Sequence, residues 1–183
     1  GDGCNCSGDE LRAVGGVKKS DRLIIVGGPP CQPFSKAAYW TEDGADAAYR
    51  RARADGLDIE KPAAPTKIKE DARRDLVREY WRLVEESNAD GFVFENVPSI
   101  KHPRNRPIYD ALVRSAQEAG FEVAEGVVNA ATYGVAQARE RVVVIGSKKK
   151  KPLIPAMTHS LDGNGLPLAV TAGEALKGLG VKK

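Results

Sequence analysis

Cysteine, histidine and methionine are scarce in this 183-residue chain, which holds three, two and one of them. Three thiols cannot all pair, and Cys4 and Cys6 lie too close together to staple distant parts of a fold. The pattern reads as free thiols in a reducing compartment. Two histidines and no Cys-x-x-Cys pair leave little from which to build a zinc site, so no metal is expected. No apolar run approaches the roughly 20 residues that cross a bilayer. The N-terminus, Gly1-Asp2-Gly3-Cys4, lacks the basic-then-apolar plan of a secretory signal. No membrane association is expected, and the setting reads as cytoplasmic. Excess charge is lacking too: the formal net charge is +3, so composition does not by itself announce a nucleic-acid binder. Its distribution says more. Arg50, Arg51 and Arg53 cluster, as do Arg104 with Arg106, Arg139 with Arg141, and Lys148 to Lys151. Such groups either neutralise phosphates or stay solvated; for Lys148 to Lys151 taken alone, solvated surface is the ordinary reading.

What is present is the composition of one globular domain, 42% hydrophobic and 29% charged. Four β-like runs are bounded by turn residues: Leu23–Val26, Phe92–Phe94, Val123–Val128 and Arg141–Ile145. Val123–Val128 has the mixed polarity of a strand near a sheet edge. Two helices separate them. One runs from Glu70 to about Ser87, with Leu76, Tyr80, Leu83 and Val84 on one face. The other starts at a first-turn Pro107, carries Ile108, Leu112 and Ala116 on one side, and stops at Gly120. Strands buried on both faces and alternating with helices predict an α/β open sheet. The loop from Asn129 to Ala138 has no room for a crossover helix, so the last two strands should be antiparallel. The fold class is therefore α/β, a mostly parallel sheet with one antiparallel strand near the end. Residues 35–69 show no core pattern beyond a short basic helix around Ala47–Ala54, and a loop of this length is either functional, as an active-site loop or lid, or disordered.

The sharpest local signal is Gly27-Gly28-Pro29-Pro30-Cys31-Gln32-Pro33-Phe34-Ser35, directly after the first strand. Sites in open α/β sheets lie beyond the carboxyl ends of the strands, where this turn presents Cys31. Glycines permit the sharp turn and prolines hold it rigid. A bare Pro-Cys pair would read as a strand-ending turn with a small buried cysteine; the full nine-residue string reads otherwise. It resembles the nucleophile motif of the cytosine-5 DNA methyltransferase family. Phe94-Glu95-Asn96-Val97 is similar to that family's Glu-Asn-Val motif, and Gln137-Ala138-Arg139-Glu140-Arg141 to its Gln-x-Arg-x-Arg motif. Asp71-Ala72-Arg73 fits a weaker Asp-x-Arg motif, and Asn129 to Val135 the connecting Asn-Ala-x-x-Tyr-Gly segment. The resemblance spans about Leu23 to Ser160 and implies a partial Rossmann-like methyltransferase sheet.

The resemblance also implies a chemistry. Carbon 5 of cytosine is a poor nucleophile until a thiolate adds to carbon 6. Cys31 would make that attack, and carbon 5 would then accept a methyl group from S-adenosylmethionine. Glu95 would hold ring nitrogen 3 and the exocyclic amine, stabilising the adduct and selecting cytosine. Arg141 would meet the 2-oxo group, with Arg139 in the same pocket and on nearby backbone. Read singly, Glu95 is an ordinary strand-end carboxylate and the arginines ordinary surface charges; their weight comes from converging on one sheet edge. The target base must be flipped from double-stranded DNA. Gln32 and Ser35, with the loop after them, would then contact nucleic acid, and Tyr39, Trp40 and Arg50 to Arg53 would offer stacking and phosphate contacts.

For the cofactor the resemblance implies Asp2, Pro30 and Leu76, but the Gly-rich motif expected at the family's first strand does not occur. Residues 1–157 read as a partial catalytic domain, and 158–183, following Pro155-Ala156-Met157-Thr158-His159-Ser160, as the beginning of a target-recognition region. The expectation is a truncated chain, a gene fragment or one subunit of a split enzyme. Alone it should bind S-adenosylmethionine weakly and leave one edge of Leu23–Val26 unpaired; a complementing methyltransferase half would be its partner. The leading reading is a DNA cytosine-5 methyltransferase of bacterial restriction-modification type, cytoplasmic or nucleoid-associated. Alternatives are a tRNA cytosine-5 methyltransferase and a catalytically inert nucleic-acid-binding or partner subunit. A thiol redox role for Cys31 lacks a resolving cysteine nearby.

Overall fold

The computed structural model describes residues 5–34, 45–60 and 71–178. In chain order these form α1 (Gly8–Val14), β1 (Ile24–Gly27), α2 (Ala45–Ala54), α3 (Leu76–Glu86), β2 (Gly91–Asn96), α4 (Arg106–Glu118), β3 (Glu122–Asn129), β4 (Glu140–Ser147) and α5 (Ala172–Ala175). Short 3₁₀ turns cover Gln32–Phe34, Ala72–Asp75, Pro98–Lys101 and Ala130–Tyr133. No helix among the described residues is long and apolar enough to cross a membrane.

The strands make one four-stranded sheet in the order β1-β2-β4-β3. β1 and β2 are parallel, while β4 runs antiparallel to both β2 and β3. Three strands thus share a direction and one is reversed, as the short connection after β3 requires. The reversed strand does not lie at the sheet's margin. β3 stands two places from β2, and the chain returns through Ala130–Tyr133 to fill the slot between them with β4.

The core lies on one face of this sheet. Phe92 and Phe94 of β2 and Val142 and Val144 of β4 are fully buried against α3 and α4. Trp81, Phe92 and Phe121 meet edge to face at 5.2–5.9 Å, the geometry aromatic quadrupoles favour. Phe92 faces Gly146 across the β2–β4 ladder. A Cβ on Gly146 would lie 2.0 Å from a carbon of the Phe92 ring, so the absent side chain is what admits the ring. Gly146→Ala is expected to destabilise the fold by about 2–3 kcal/mol through overpacking, read as a lower urea midpoint at unchanged m-value.

Three expectations need correction. The buried stripe of α3 is Val77, Tyr80, Trp81 and Val84. Leu76 and Leu83 are only half-buried, because the helix turns its Val77–Trp81 side to the sheet and leaves them flanking the end of β1. The helix also begins at Leu76, since the Asp71 side chain accepts from the Arg73 amide and fixes a 3₁₀ turn first. Glu70 lies outside the described residues. Nor are the strands buried on both faces. Both long helices pack on the Phe92 side, and on β1 Ile24 and Val26 remain 65% and 74% exposed. β1 pairs with β2 alone among the described strands, as expected for an edge.

A polar cluster ties α4 to β3. Tyr109 Oη donates to Glu125, and Lys101 Nζ lies 3.1 Å from the same carboxylate. These partners, Tyr109 foremost, hold the Glu125 carboxyl below its ordinary value against the opposing effect of burial. A depressed carboxylate stabilises the fold above its unfolded value of about 4.3 and loses that contribution as pH falls through the lower folded value. Glu125→Gln should therefore flatten the acid limb of stability below roughly pH 5. An unchanged slope of urea midpoint against pH would remove this cluster from the account of acid unfolding.

Candidate active site

Three chain segments meet at the carboxyl edge of β1 and β2. β1 delivers Gly27-Gly28-Pro29-Pro30-Cys31, β2 ends on Glu95 and Asn96, and β4, being reversed, begins beside them with Arg141. Adjacent strands in register force this meeting; nothing in the local sequence of β4 would bring Arg141 to Glu95 without the reversal.

Arg141 Nε lies 2.6 Å from Glu95 Oε1, and the guanidinium also donates from Nη1 to the Glu140 carbonyl at 2.7 Å. The Arg141 side chain is 18% exposed and that of Glu95 is 41% exposed, so the pair sits at the rim of the sheet with one side open. Glu95 also abuts the cysteine turn: a Cβ on Gly28 would stand 3.1 Å from Glu95 Oε2. On the helix side a Cβ on Gly27 would strike the Tyr80 ring at 2.5 Å. The two glycines thus let the turn pass between an acid and an aromatic ring.

The turn is pinned at both ends. Upstream, Asn96 Nδ2 donates to the Pro29 carbonyl at 3.1 Å, while its Oδ1 accepts from the Val97 amide at 2.9 Å. Asn96 is fully buried. Downstream, the Phe34 amide donates to the Cys31 carbonyl at 3.0 Å and closes the Gln32–Phe34 turn. Cys31 itself is half-buried with a free thiol. From the sequence alone Asn96 has no role of its own. The signal was there: Phe92, Phe94 and Asn96 share one side of β2, and an amide in an otherwise apolar stripe needs a partner.

The other expected residues are placed as follows. Arg139 precedes β4 with its side chain exposed, and its backbone is fixed by the Asn129 side chain and the Ala130 amide. Gln32 opens the 3₁₀ turn and is exposed. Pro30 is half-buried. Leu76 lines a shallow hollow of about 210 Å³ with Gly27, Gly28, Pro29, Glu79, Tyr80 and Leu83, so Pro29, not Pro30, forms part of its wall. Asp2 and Ser35 lie outside the described residues, as does most of the loop expected to act as a lid. Within that loop the expected basic helix is present as α2, reaching back to Ala45.

Residues 11–165 match the family model described as C-5 cytosine-specific DNA methylase. The chain is 32% identical over 179 residues to the Type II methyltransferase M.SacI of Streptomyces achromogenes, covering 93% of this chain and 40% of that protein. It is 34% identical over 149 residues to the Type II methyltransferase M.XorII of Xanthomonas oryzae pv. oryzae, covering 80% of this chain and 29% of that one. Among solved structures, a prophage-encoded E. coli protein assigned as a DNA modification methyltransferase superposes with a TM-score of 0.62 at 23% identity. That superposition covers 99% of this chain and 41% of the other, and it speaks for the fold. The chain thus spans well under half the length of these relatives.

Proposed function

Because the chain belongs to the C-5 cytosine-specific DNA methylase family, we propose that it carries the cytosine-binding half of a DNA cytosine-5 methyltransferase. The observation that supports this most directly is the Glu95–Arg141 pair at 2.6 Å, set against the turn that presents Cys31.

In this reading Cys31 Sγ, as thiolate, bonds to carbon 6 of a flipped cytosine, and the electron pair of the 5,6 double bond moves onto carbon 5. Glu95 supports that charge by hydrogen bonding at ring nitrogen 3 and the exocyclic amine, and Arg141 by donating to the 2-oxo group. S-adenosylmethionine, when bound, supplies the methyl group. Once carbon 5 is methylated, a base takes its proton, the 5,6 double bond re-forms and Cys31 leaves. Arg139, exposed two residues before Arg141, and Gln32, at the start of the turn, then serve the nucleic-acid backbone around the flipped base.

The cofactor's fit to these residues is partial. The hollow beside Gly27–Pro29, walled by Leu76, Tyr80 and Leu83, offers an apolar floor for one side of a flat, uncharged moiety. The Gly-rich turn and ribose-holding acid of a complete pocket are not among the motifs of this sequence. We include a complementing methyltransferase half in the proposal. The edge of β1, unpaired among the described residues, and the exposed Ile24 and Val26 support such a docking surface, since an apolar edge strand invites pairing. Residues 158–178, which hold little regular structure beyond the four-residue α5, are proposed to lead into a target-recognition region. The proposed setting is a bacterial cytoplasm or nucleoid.

The test is a duplex carrying 5-fluorocytosine, incubated with the chain and S-adenosylmethionine. Fluorine cannot leave carbon 5 as the proton does, so the sulfur–carbon bond persists. A denaturation-resistant band on the duplex is the expected result. A band only on equivalently substituted tRNA would move the substrate to RNA. No band on either, even with a complementing half present, would remove the catalytic reading.

A further inference from the structure

The Asp71-Ala72-Arg73 motif has no part in the chemistry above, and its arginine is not the informative one. Arg73 folds back on Asp71 at 2.7 Å, with 53% of its side chain exposed. The next residue, Arg74, is more than nine-tenths buried. Its Nη1 donates to the Pro33 carbonyl at 3.2 Å, and its Nη2 to Asn105 Oδ1 at 2.7 Å. Its guanidinium carbon lies 5.0 Å above the centre of the Phe34 ring. Asn105, itself fully buried, donates from Nδ2 to the Ser99 carbonyl at 2.8 Å, and Ser99 Oγ donates to the Phe34 carbonyl. The circuit closes: Arg74, Asn105, Ser99 and the Pro33–Phe34 backbone form one ring of directed contacts.

We propose that Arg74 is a positioning residue for Cys31, the closing member of a buried polar latch that fixes the downstream side of the nucleophile turn. This rests on the reading of Cys31 as the nucleophile. The latch works on the two carbonyls that follow Gln32, whereas Asn96 holds the Pro29 carbonyl before Cys31. Its members come from the 3₁₀ turns before α3 and after β2 and from the residue preceding α4. The latch therefore couples the thiol to the same segment that carries Glu95, since Ser99 follows it by four residues. Arginine suits the place because a planar fork can bond in two directions and stack at once. A lysine ammonium keeps the charge and loses both the fork and the stacking plane.

The test compares the full chain with its Arg74→Lys and Ser99→Ala variants, using residue-resolved amide exchange and adduct formation on the 5-fluorocytosine duplex. Ser99→Ala removes a latch contact without burying a new charge, which keeps the test readable if Arg74→Lys fails to fold. Either variant should speed exchange of the Phe34 amide, which bonds to the Cys31 carbonyl, by about tenfold while β2 and β4 keep their protection. The adduct rate should fall about tenfold with duplex affinity held within about twofold, because position and not binding is lost. Unchanged exchange at Phe34 overturns the proposal, as does exchange that rises only together with that of β2 and β4. An adduct rate that holds despite a loosened Phe34 amide overturns it too. If the unsubstituted chain forms no adduct even with a complementing half present, the catalytic reading has failed, and the latch is judged on exchange alone.

Discussion

If the chain acts as proposed, Cys31→Ser should reduce methyl transfer to duplex DNA, measured with a complementing half present, by at least roughly 10⁴-fold, the scale on which removing an enzymic nucleophile slows covalent catalysis. A hydroxyl at this position is scarcely ionised at neutral pH and cannot add to carbon 6. Oxygen for sulfur is a small change at a half-buried turn that Asn96, Arg74, Ser99 and the Phe34 amide hold by its backbone carbonyls. The variant should consequently fold with a melting temperature close to the parent's and bind duplex with similar affinity. The measurement is transfer of a labelled methyl group, with the 5-fluorocytosine duplex as a second readout. Retention of more than about a tenth of the parent rate would take Cys31 out of the chemistry.

Glu95→Gln is the second large effect, an expected loss of about 10²–10³ in the rate of adduct formation. The substitution keeps shape, so packing against Gly28 survives. Two things change. In the proposed function the side chain can no longer share a proton with ring nitrogen 3, and Arg141 loses the carboxylate 2.6 Å from its Nε. Those losses act on different parts of the cytosine. Arg141→Lys, which keeps charge without the planar fork, should therefore weaken the reaction by a smaller factor than Glu95→Gln. A single-turnover rate for Glu95→Gln within about threefold of the parent would sink the assignment and leave Glu95 as the structural partner of Arg141.

Much of this site was legible in one dimension because strands, turns and motif order are local properties. Cys31 and Glu95 were readable from Pro-Pro-Cys-Gln and Glu-Asn-Val at the ends of apolar runs, and Arg141 from Gln-x-Arg-x-Arg leading into one. The reversal of the last strand followed from a connection too short for a crossover. The face of α3 was misread because Leu76, Val77, Leu83 and Val84 leave two apolar stripes on one helix, and periodicity cannot say which meets the sheet. The shape of the Phe92–Trp81–Phe121 cluster decided that. The buried polar residues were the hardest to foresee. Arg74 and Asn105, with the half-buried Ser99, look like ordinary surface residues until tertiary packing brings them together behind the Pro33–Phe34 backbone.

The sequence by itself determined the class of sheet, the direction of its strands and the residue types brought to its carboxyl edge. Backbone sterics, hydrophobic alternation and loop length act over short stretches of chain, and these suffice for those features. Only the tertiary structure decided that Glu95 and Arg141 pair, that Asn96 holds Pro29, and that Arg74 closes a ring behind Phe34. Each of those contacts joins residues far apart in the chain: strand pairing in register sets Arg141 beside Glu95 at the open rim, while core packing excludes water from Asn96 and Arg74, which must then find partners.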